Sequence, residues 1–137
     1  AAIGCAQMER INELIAGKRR VYKYYAEHLR NLPIKMNPEP PETVNGYWMP
    51  TIVVDEGVPF DREALLAEFI KNDIDGRVFF WPLSMLPMFE RKPKNVVSYG
   101  LYKRAINLPS YHDLRKEEIE NVANVIRSAL HPVRSGI

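Results

Sequence analysis

Arg77 begins the segment Arg77-Val78-Phe79-Phe80-Trp81-Pro82-Leu83-Ser84, which joins a cation, three aromatic rings and a Pro-Leu-Ser exit. Strand alternation puts Arg77, Phe79 and Trp81 on one face and Val78 and Phe80 on the other. A guanidinium on an aromatic face serves as a stacked cation or as a clamp for an anion. The same pattern also suits a core strand with an arginine snorkelling at its edge. From the residues alone, both readings stand.

Other reactive residue types are present but poorly arranged for chemistry. Cys5 is the single cysteine, which excludes an intrachain disulfide and a cysteine-based zinc site. With no histidine or basic cluster beside it, it reads as a small buried or interfacial side chain. His28, His112 and His131 show no metal-ligand spacing. His112-Asp113 suggests a base and its orienter, yet sequence neighbours point apart, so loop chemistry is the better reading. Lys18, Arg19, Arg20 and Lys23 form the densest basic cluster and read as a solvated helix face rather than a phosphate site. Glu117, Glu118 and Glu120 sit where a helix dipole favours them without catalysis. Neither glycine-rich phosphate-loop pattern occurs.

The elements that must carry these residues follow from periodicity. Ile3, Ile11, Leu14, Ile15, Val21, Tyr22, Tyr25 and Leu29 recur near a 3.6-residue period, which predicts one helix over the first thirty residues. No Ser, Thr, Asp or Asn precedes Ile3 to cap it, as expected of a chain cut from something longer. Ile3, Met8, Ile11 and Ile15 cover more of its circumference than a small sheet buries, and so mark an interface. Four prolines between residues 33 and 46 predict an extended loop. Tyr47 to Val54 reads as a strand with Pro50 at an edge or bulge. Asp61 caps a helix whose staple is Phe60 with Leu65, and Asn72-Asp73 and Asp75-Gly76 supply its exit. Arg77 to Trp81 is a second strand, followed by an irregular loop with three prolines, of a length more often functional than idle. A short helix over 95–104, a third strand at Ala105 and a helix from Lys116 to Leu130, stopped by His131-Pro132, complete the chain. The order α-β-α-β-α-β-α predicts an α/β two-layer sandwich, a small three-stranded sheet with helices on one face.

Composition narrows the function classes. A length of 137 residues suits one domain. Nineteen Lys and Arg against seventeen Asp and Glu leave a charge of +2, too weak to make nucleic acid or an anionic membrane the partner. No apolar run approaches the ~18 residues of a membrane span, and the start is no signal peptide, so a cytoplasmic location is expected.

Several segments taken together resemble one family. Ala1 to Arg19, Tyr47 to Asp55, Ile74 to Phe89, Ala105 to Leu114 and the closing EEIENVANVIRSAL are similar to the C-terminal region of the DegT/DnrJ/EryC1/StrS sugar aminotransferases, perosamine-synthase-like members in particular. The similarity covers nearly the whole chain in order and spacing. It implies that residues 1–137 are the small domain of a fold-type I, pyridoxal-phosphate-dependent enzyme. The large domain, with the Schiff-base lysine and the aspartate at the pyridine nitrogen, would lie outside this chain. The implied reaction moves an amino group from glutamate to a keto group of a nucleotide-linked sugar for polysaccharide biosynthesis. The implied assembly is a homodimer in which this chain caps the active-site cleft. Carried over, Arg77, Trp81 and Ser84 line the nucleotide-sugar side and Trp48 packs beside it. No catalytic, cofactor-binding or metal-binding residue is assigned here, and pyridoxal phosphate is expected in the parent enzyme but not bound by this chain alone. Ser84 stands where many members have histidine, so an imidazole role is absent, and Arg115 stands where many have serine or threonine. A reading of another class, a free-standing non-catalytic α/β module that binds a ligand or partner, suits the same residues. Nucleic-acid binding through the aromatic strand is the weakest reading at a charge of +2.

Overall fold

The computed structural model describes residues 1–130. The expected single first helix is two, α1 (Ala2–Glu9) and α2 (Ile11–Leu29), broken at Arg10 with φ −106° and ψ 8°. The cause is unequal burial. Helix α1 buries no residue, whereas α2 is held along Gly17, Val21, Tyr25 and Leu29, one turn apart.

The sheet has four strands, not three: β1 (Ile34–Met36), β2 (Thr51–Val54), β3 (Arg77–Val78) and β4 (Ala105–Asn107), in the order β1-β2-β4-β3, all antiparallel. The extra strand, β1, lies inside the proline-rich stretch expected to be loop. It is an outer edge, where the neighbouring Pro33 and Pro38 cost no ladder donor. Strand β2 begins at Thr51 rather than Tyr47, so Pro50 precedes the strand instead of interrupting an edge or bulge. Pro50 is fully buried and its carbonyl accepts the Leu108 N–H at 2.9 Å.

Ile52, Val54 and Ile106 turn to one face. There they join Val21, Tyr25 and Leu29 of α2, Leu65 and Phe69 of α3 (Arg62–Lys71), and Ile119, Val122, Ala123 and Ile126 of α5 (Lys116–Leu130) in one core. Helix α4 (Val96–Arg104) departs from the expected one-sided arrangement, because its Leu101 shares a shallow depression with Val53 on the opposite face. The His131-Pro132 stop expected after α5 lies outside the described residues.

Both ends of α3 are built as its sequence indicates. Asp61 Oδ1 accepts the N–H groups of Glu63 and Ala64, each at 3.0 Å. At the exit Asp73 takes φ 55°, Ile74 N–H reaches Phe69 O at 2.8 Å and Asp73 N–H reaches Ile70 O at 3.2 Å, the bond pair of a Schellman turn. Ile74 then packs in the core with Phe69. The chain next passes over the Phe69 ring at Gly76, where an added Cβ would lie 2.1 Å from Cδ2. Phe69 is fully buried and has no room to retreat. Gly76→Ala is therefore expected to destabilise the fold by about 1–3 kcal/mol. A denaturant midpoint equal to the parent's would refute this.

Helix α5 has half of a capping box. Glu118 Oε2 accepts the Arg115 N–H at 2.9 Å, but the Arg115 guanidinium cannot accept in return and bonds Glu118 Oε2 from Nε at 3.2 Å. Arg115→Thr supplies the missing acceptor at the cost of the Arg115–Glu118 pair, whose arginine is largely solvated. It should stabilise the protein by about 1 kcal/mol, and urea unfolding of both forms will show whether the midpoint rises.

Candidate functional site

Arg77 lies on the two-residue edge strand β3, opposite Asn107 of β4. Its guanidinium forks onto Asp75, Nε to Oδ1 at 3.3 Å and Nη2 to Oδ2 at 2.9 Å, and both side chains are about three-quarters exposed. Asp75 holds the arginine pKa up, and the arginine holds the carboxyl of Asp75 down. Asn107 is buried and fixed, accepting from Thr51 Oγ1 at 2.8 Å and donating to Val78 O at 3.3 Å. Arg77, Asn107, Trp48, Lys18, Ser110 and Glu118 line one cleft of about 690 Å³.

The expected five-residue strand ends at Val78. Phe79 would have Ala105 opposite, the first residue of β4, where α4 runs directly into the strand. Trp81 instead lies against Tyr102, ring centroids 5.0 Å apart, with the Arg62 guanidinium 6.0 Å from its ring. Ser84 sits in a 3-10 turn (Leu83–Met85). Its Oγ is 2.7 Å from Tyr99 Oη and accepts Asn95 Nδ2 at 3.2 Å, beside a second depression of about 670 Å³. The structure thus brings Arg77 and Trp48 to one cleft and places Trp81 and Ser84 elsewhere on the surface.

Trp48 is 65% exposed while its main chain is firmly held. Ser110 Oγ donates to Trp48 O at 2.8 Å, and Lys18 Nζ donates to Ser110 O. Partial burial lowers the Lys18 pKa. On the other side, Asn37 Oδ1 accepts the Thr51 N–H at 2.7 Å and Nδ2 donates to Met49 O at 3.2 Å. That side-chain amide takes the place of a strand partner where β1 has ended. Tyr47 has φ 47°, an unusual conformation for an aromatic residue. Its ring stacks on Tyr22 at 3.6 Å, and its N–H bonds Asn45 Oδ1 at 2.8 Å. The phenolic pKa of Tyr22 is pushed up to about 12, mainly by burial.

The basic cluster of α2 is only in part the solvated face expected of it: Lys23 is exposed, while its three neighbours reach loop groups. Lys18 is committed to Ser110. Arg19 pairs with Glu39 at 2.7 Å and donates to Asn45 O, and Arg20 donates to His112 O at 2.8 Å. Asn45-Gly46 carried a turn signal that could have pointed to Tyr47. No local pattern announces Asn37, Lys18 or Ser110, whose partners are distant in sequence. Among the described residues no His, Cys, Asp and Glu group has the geometry of a metal site.

Residues 1–127 match the DegT/DnrJ/EryC1/StrS aminotransferase family. A GDP-perosamine synthase of Vibrio cholerae is 34% identical over 131 residues, 93% of this chain and 36% of that protein. Among solved structures, DesI in the presence of its TDP-sugar product superposes with a TM-score of 0.85 at 20% identity, over 97% of this chain and 35% of that one. The aminotransferase TlmJ from Streptoalloteichus hindustanus gives 0.83 at 18% identity, over 97% and 36%. The chain belongs to the DegT/DnrJ/EryC1/StrS aminotransferase family, and it spans about a third of the length of the relatives it matches.

The loop that carries Trp48 has a titratable anchor. Hydrogen bonds from Arg19, then from the Asn45 N–H, lower the Glu39 pKa to about 2. Arg115 does the same for Glu118, also to about 2. A carboxyl depressed in the folded state adds stability above its unfolded value of about 4.5 and loses it as pH falls through about 2. Unfolding midpoints should therefore decline between these values, and Glu39→Gln should decline less steeply. Superimposable pH profiles would contradict the anchor.

Proposed function

We propose that this chain is the small, cleft-capping domain of a pyridoxal-phosphate-dependent enzyme that transfers an amino group from glutamate to a keto group of a nucleotide-linked sugar. The carrying observation is membership of the sugar-aminotransferase family over residues 1–127, supported by 34% identity to a GDP-perosamine synthase. DesI, whose structure holds a TDP-sugar product, supports a nucleotide-linked substrate. Such a reaction belongs in the cytoplasm, in a homodimer whose other domain meets this one across the cleft. Exposed Phe80, Leu83, Met88, Phe89, Val96 and Val97 give that domain an apolar surface to cover.

The described residues do not themselves form a cradle for pyridoxal phosphate. Lys18 is the one lysine among them that is not exposed, and its ammonium is committed to Ser110. Of the three acids lining the cleft, Asp75 and Glu118 are paired with Arg77 and Arg115, and Asp73 is the left-handed turn residue that ends α3. The cofactor's lysine, phosphate donors and ring-nitrogen acid belong to the remaining length of the polypeptide. This chain's contribution is at the substrate side. Arg77 exchanges the exposed Asp75 carboxylate for an anionic substrate group, at small cost because the pair is solvated. Trp48 and Trp81 shed water from the closing surfaces, and Ser84 offers a hydroxyl at a separate depression, where Tyr99 and Asn95 hold it.

The isolated chain, mixed with pyridoxal phosphate and borohydride, should yield no adduct on one specific lysine and no transamination. In the complete enzyme Arg77→Ala should lower kcat/KM for the nucleotide sugar by about tenfold or more, with cofactor absorbance retained. Unchanged kinetics would reduce Arg77 to a structural residue.

A further inference from the structure

Asn-Gly occurs once in the sequence, at Asn45-Gly46, and is a dipeptide prone to deamidation. With no side chain on the second residue, the Gly46 nitrogen has an open approach to the side-chain carbonyl carbon of Asn45. Both residues are partly exposed, so water reaches them. The fold nevertheless engages every polar group of Asn45. Oδ1 accepts the Tyr47 N–H at 2.8 Å, and Nδ2 donates to Pro38 O at 3.1 Å. The Asn45 N–H donates to Glu39 Oε1 at 2.8 Å, and Arg19 Nη1 donates both to Asn45 O and to Glu39 Oε1. The Tyr47 hydroxyl closes the set on Glu39 Oε2 at 3.3 Å. Cyclisation requires the Asn45 amide to swing toward Gly46, which breaks its bonds to Tyr47 and Pro38. The Arg19–Glu39 pair opposes that swing by holding the Asn45 main chain from both its N–H and its carbonyl.

We propose that Asn45 is a spontaneous modification site gated by the Arg19–Glu39 latch, protected while the latch is closed and deamidated when it opens. In the reaction the Gly46 nitrogen attacks Asn45 Cγ. The new N–Cγ bond forms as Cγ–Nδ2 breaks, and the amide group departs with the Gly46 proton as ammonia. Water then opens the five-membered succinimide at either carbonyl, leaving aspartate or isoaspartate at position 45. No cofactor, oxidant or second enzyme takes part, so the chemistry is independent of transamination. Either product alters the loop. The donor to Pro38 O is lost, and a second carboxylate arises beside Glu39 and competes with it for Arg19. Isoaspartate also adds a methylene to the main chain two residues before Tyr47, which shifts the Tyr47 N–H away from its acceptor. Tyr47 keeps a left-handed backbone at φ 47°, a conformation that persists only while its surroundings sustain it. An opening of the latch is thereby recorded irreversibly in the chain.

Peptide-mapping mass spectrometry of the chain, aged in mildly alkaline buffer with and without urea, provides the test. Conversion at Asn45 should be about tenfold or more slower in the folded chain than in urea, the worth of two neutral hydrogen bonds. Arg19→Gln and Glu39→Ala should each speed conversion several-fold in the folded chain while leaving the exposed Asn72-Asp73 unchanged. A general loosening of the fold would speed both sites. Gly46→Ala should suppress conversion in buffer and in urea alike. That variant keeps the fold, because Gly46 is not left-handed and a Cβ there meets nothing within 4 Å. The isoaspartyl form, separated by ion exchange, should unfold at a lower urea midpoint than the parent. A folded rate equal to the rate in urea, no acceleration in either latch variant, or an unchanged midpoint for the isoaspartyl form would overturn the proposal.

Discussion

Among the described residues no strand exceeds four residues, and a sheet of such short strands has too few ladder bonds to hold itself together. Its order must come from what packs on it and what ties its loops. Helix α2 does both. Val21, Tyr25 and Leu29 enter the core, while five residues of the same stretch bond loop backbone. Lys18, Arg20 and Tyr25 donate to the carbonyls of Ser110, His112 and Pro109, and Arg19 and Tyr22 donate to those of Asn45 and Asn37. The two loops bordering the cleft therefore share one rigid support. Gly17 permits the close approach, because a Cβ there would lie 3.0 Å from His112 O.

That support separates parts that must stay still from parts that can exchange. Each loop carbonyl bonded from α2 adds about 1 kcal/mol and would lose more if left buried and unpaired. The Arg77–Asp75 pair on the far wall is solvated, so it is worth little and is easily traded for another anion. Asn107 links the two regimes. It is buried and bonded to Thr51 and to the Val78 carbonyl, so the strand beneath Arg77 keeps its place while the guanidinium remains free to change partner.

Features governed by neighbours in sequence were legible before the structure. The Asp61 cap and the Asn72-Asp73 exit rest on contacts within a few residues, and the apolar period of α5 is likewise a local pattern. The misreadings have a common origin in distant partners. Strand β1 exists because β2 pairs with it, not because Ile34-Lys35-Met36 signals a strand among prolines. The break at Arg10 reflects packing that α2 has and α1 lacks, although the periodicity runs through both. In the site, Arg77 and Trp48 stood out as residues worth attention. Their shared cleft depends on a turn and a sheet register that composition does not reveal, and the separation of Ser84 from them follows from its bonds to Tyr99 and Asn95.

Apolar side chains remain exposed on two surfaces. Helix α1 has eight residues, buries none of them, and presents Ile3 and Met8 to solvent. A helix that short is marginal in water by propensity alone. It starts without a side-chain cap, so neither packing nor capping among the described residues accounts for its order. Phe80, Trp81, Leu83, Met88 and Phe89 pose the same problem on another part of the surface, where each is about half exposed or more. Both surfaces are what the proposed reading leaves for the rest of the enzyme to cover, in a chain that spans about a third of its relatives' length. On that view the sheet and α2 form an internally complete frame, and α1 and the segment after Val78 are its contact surfaces.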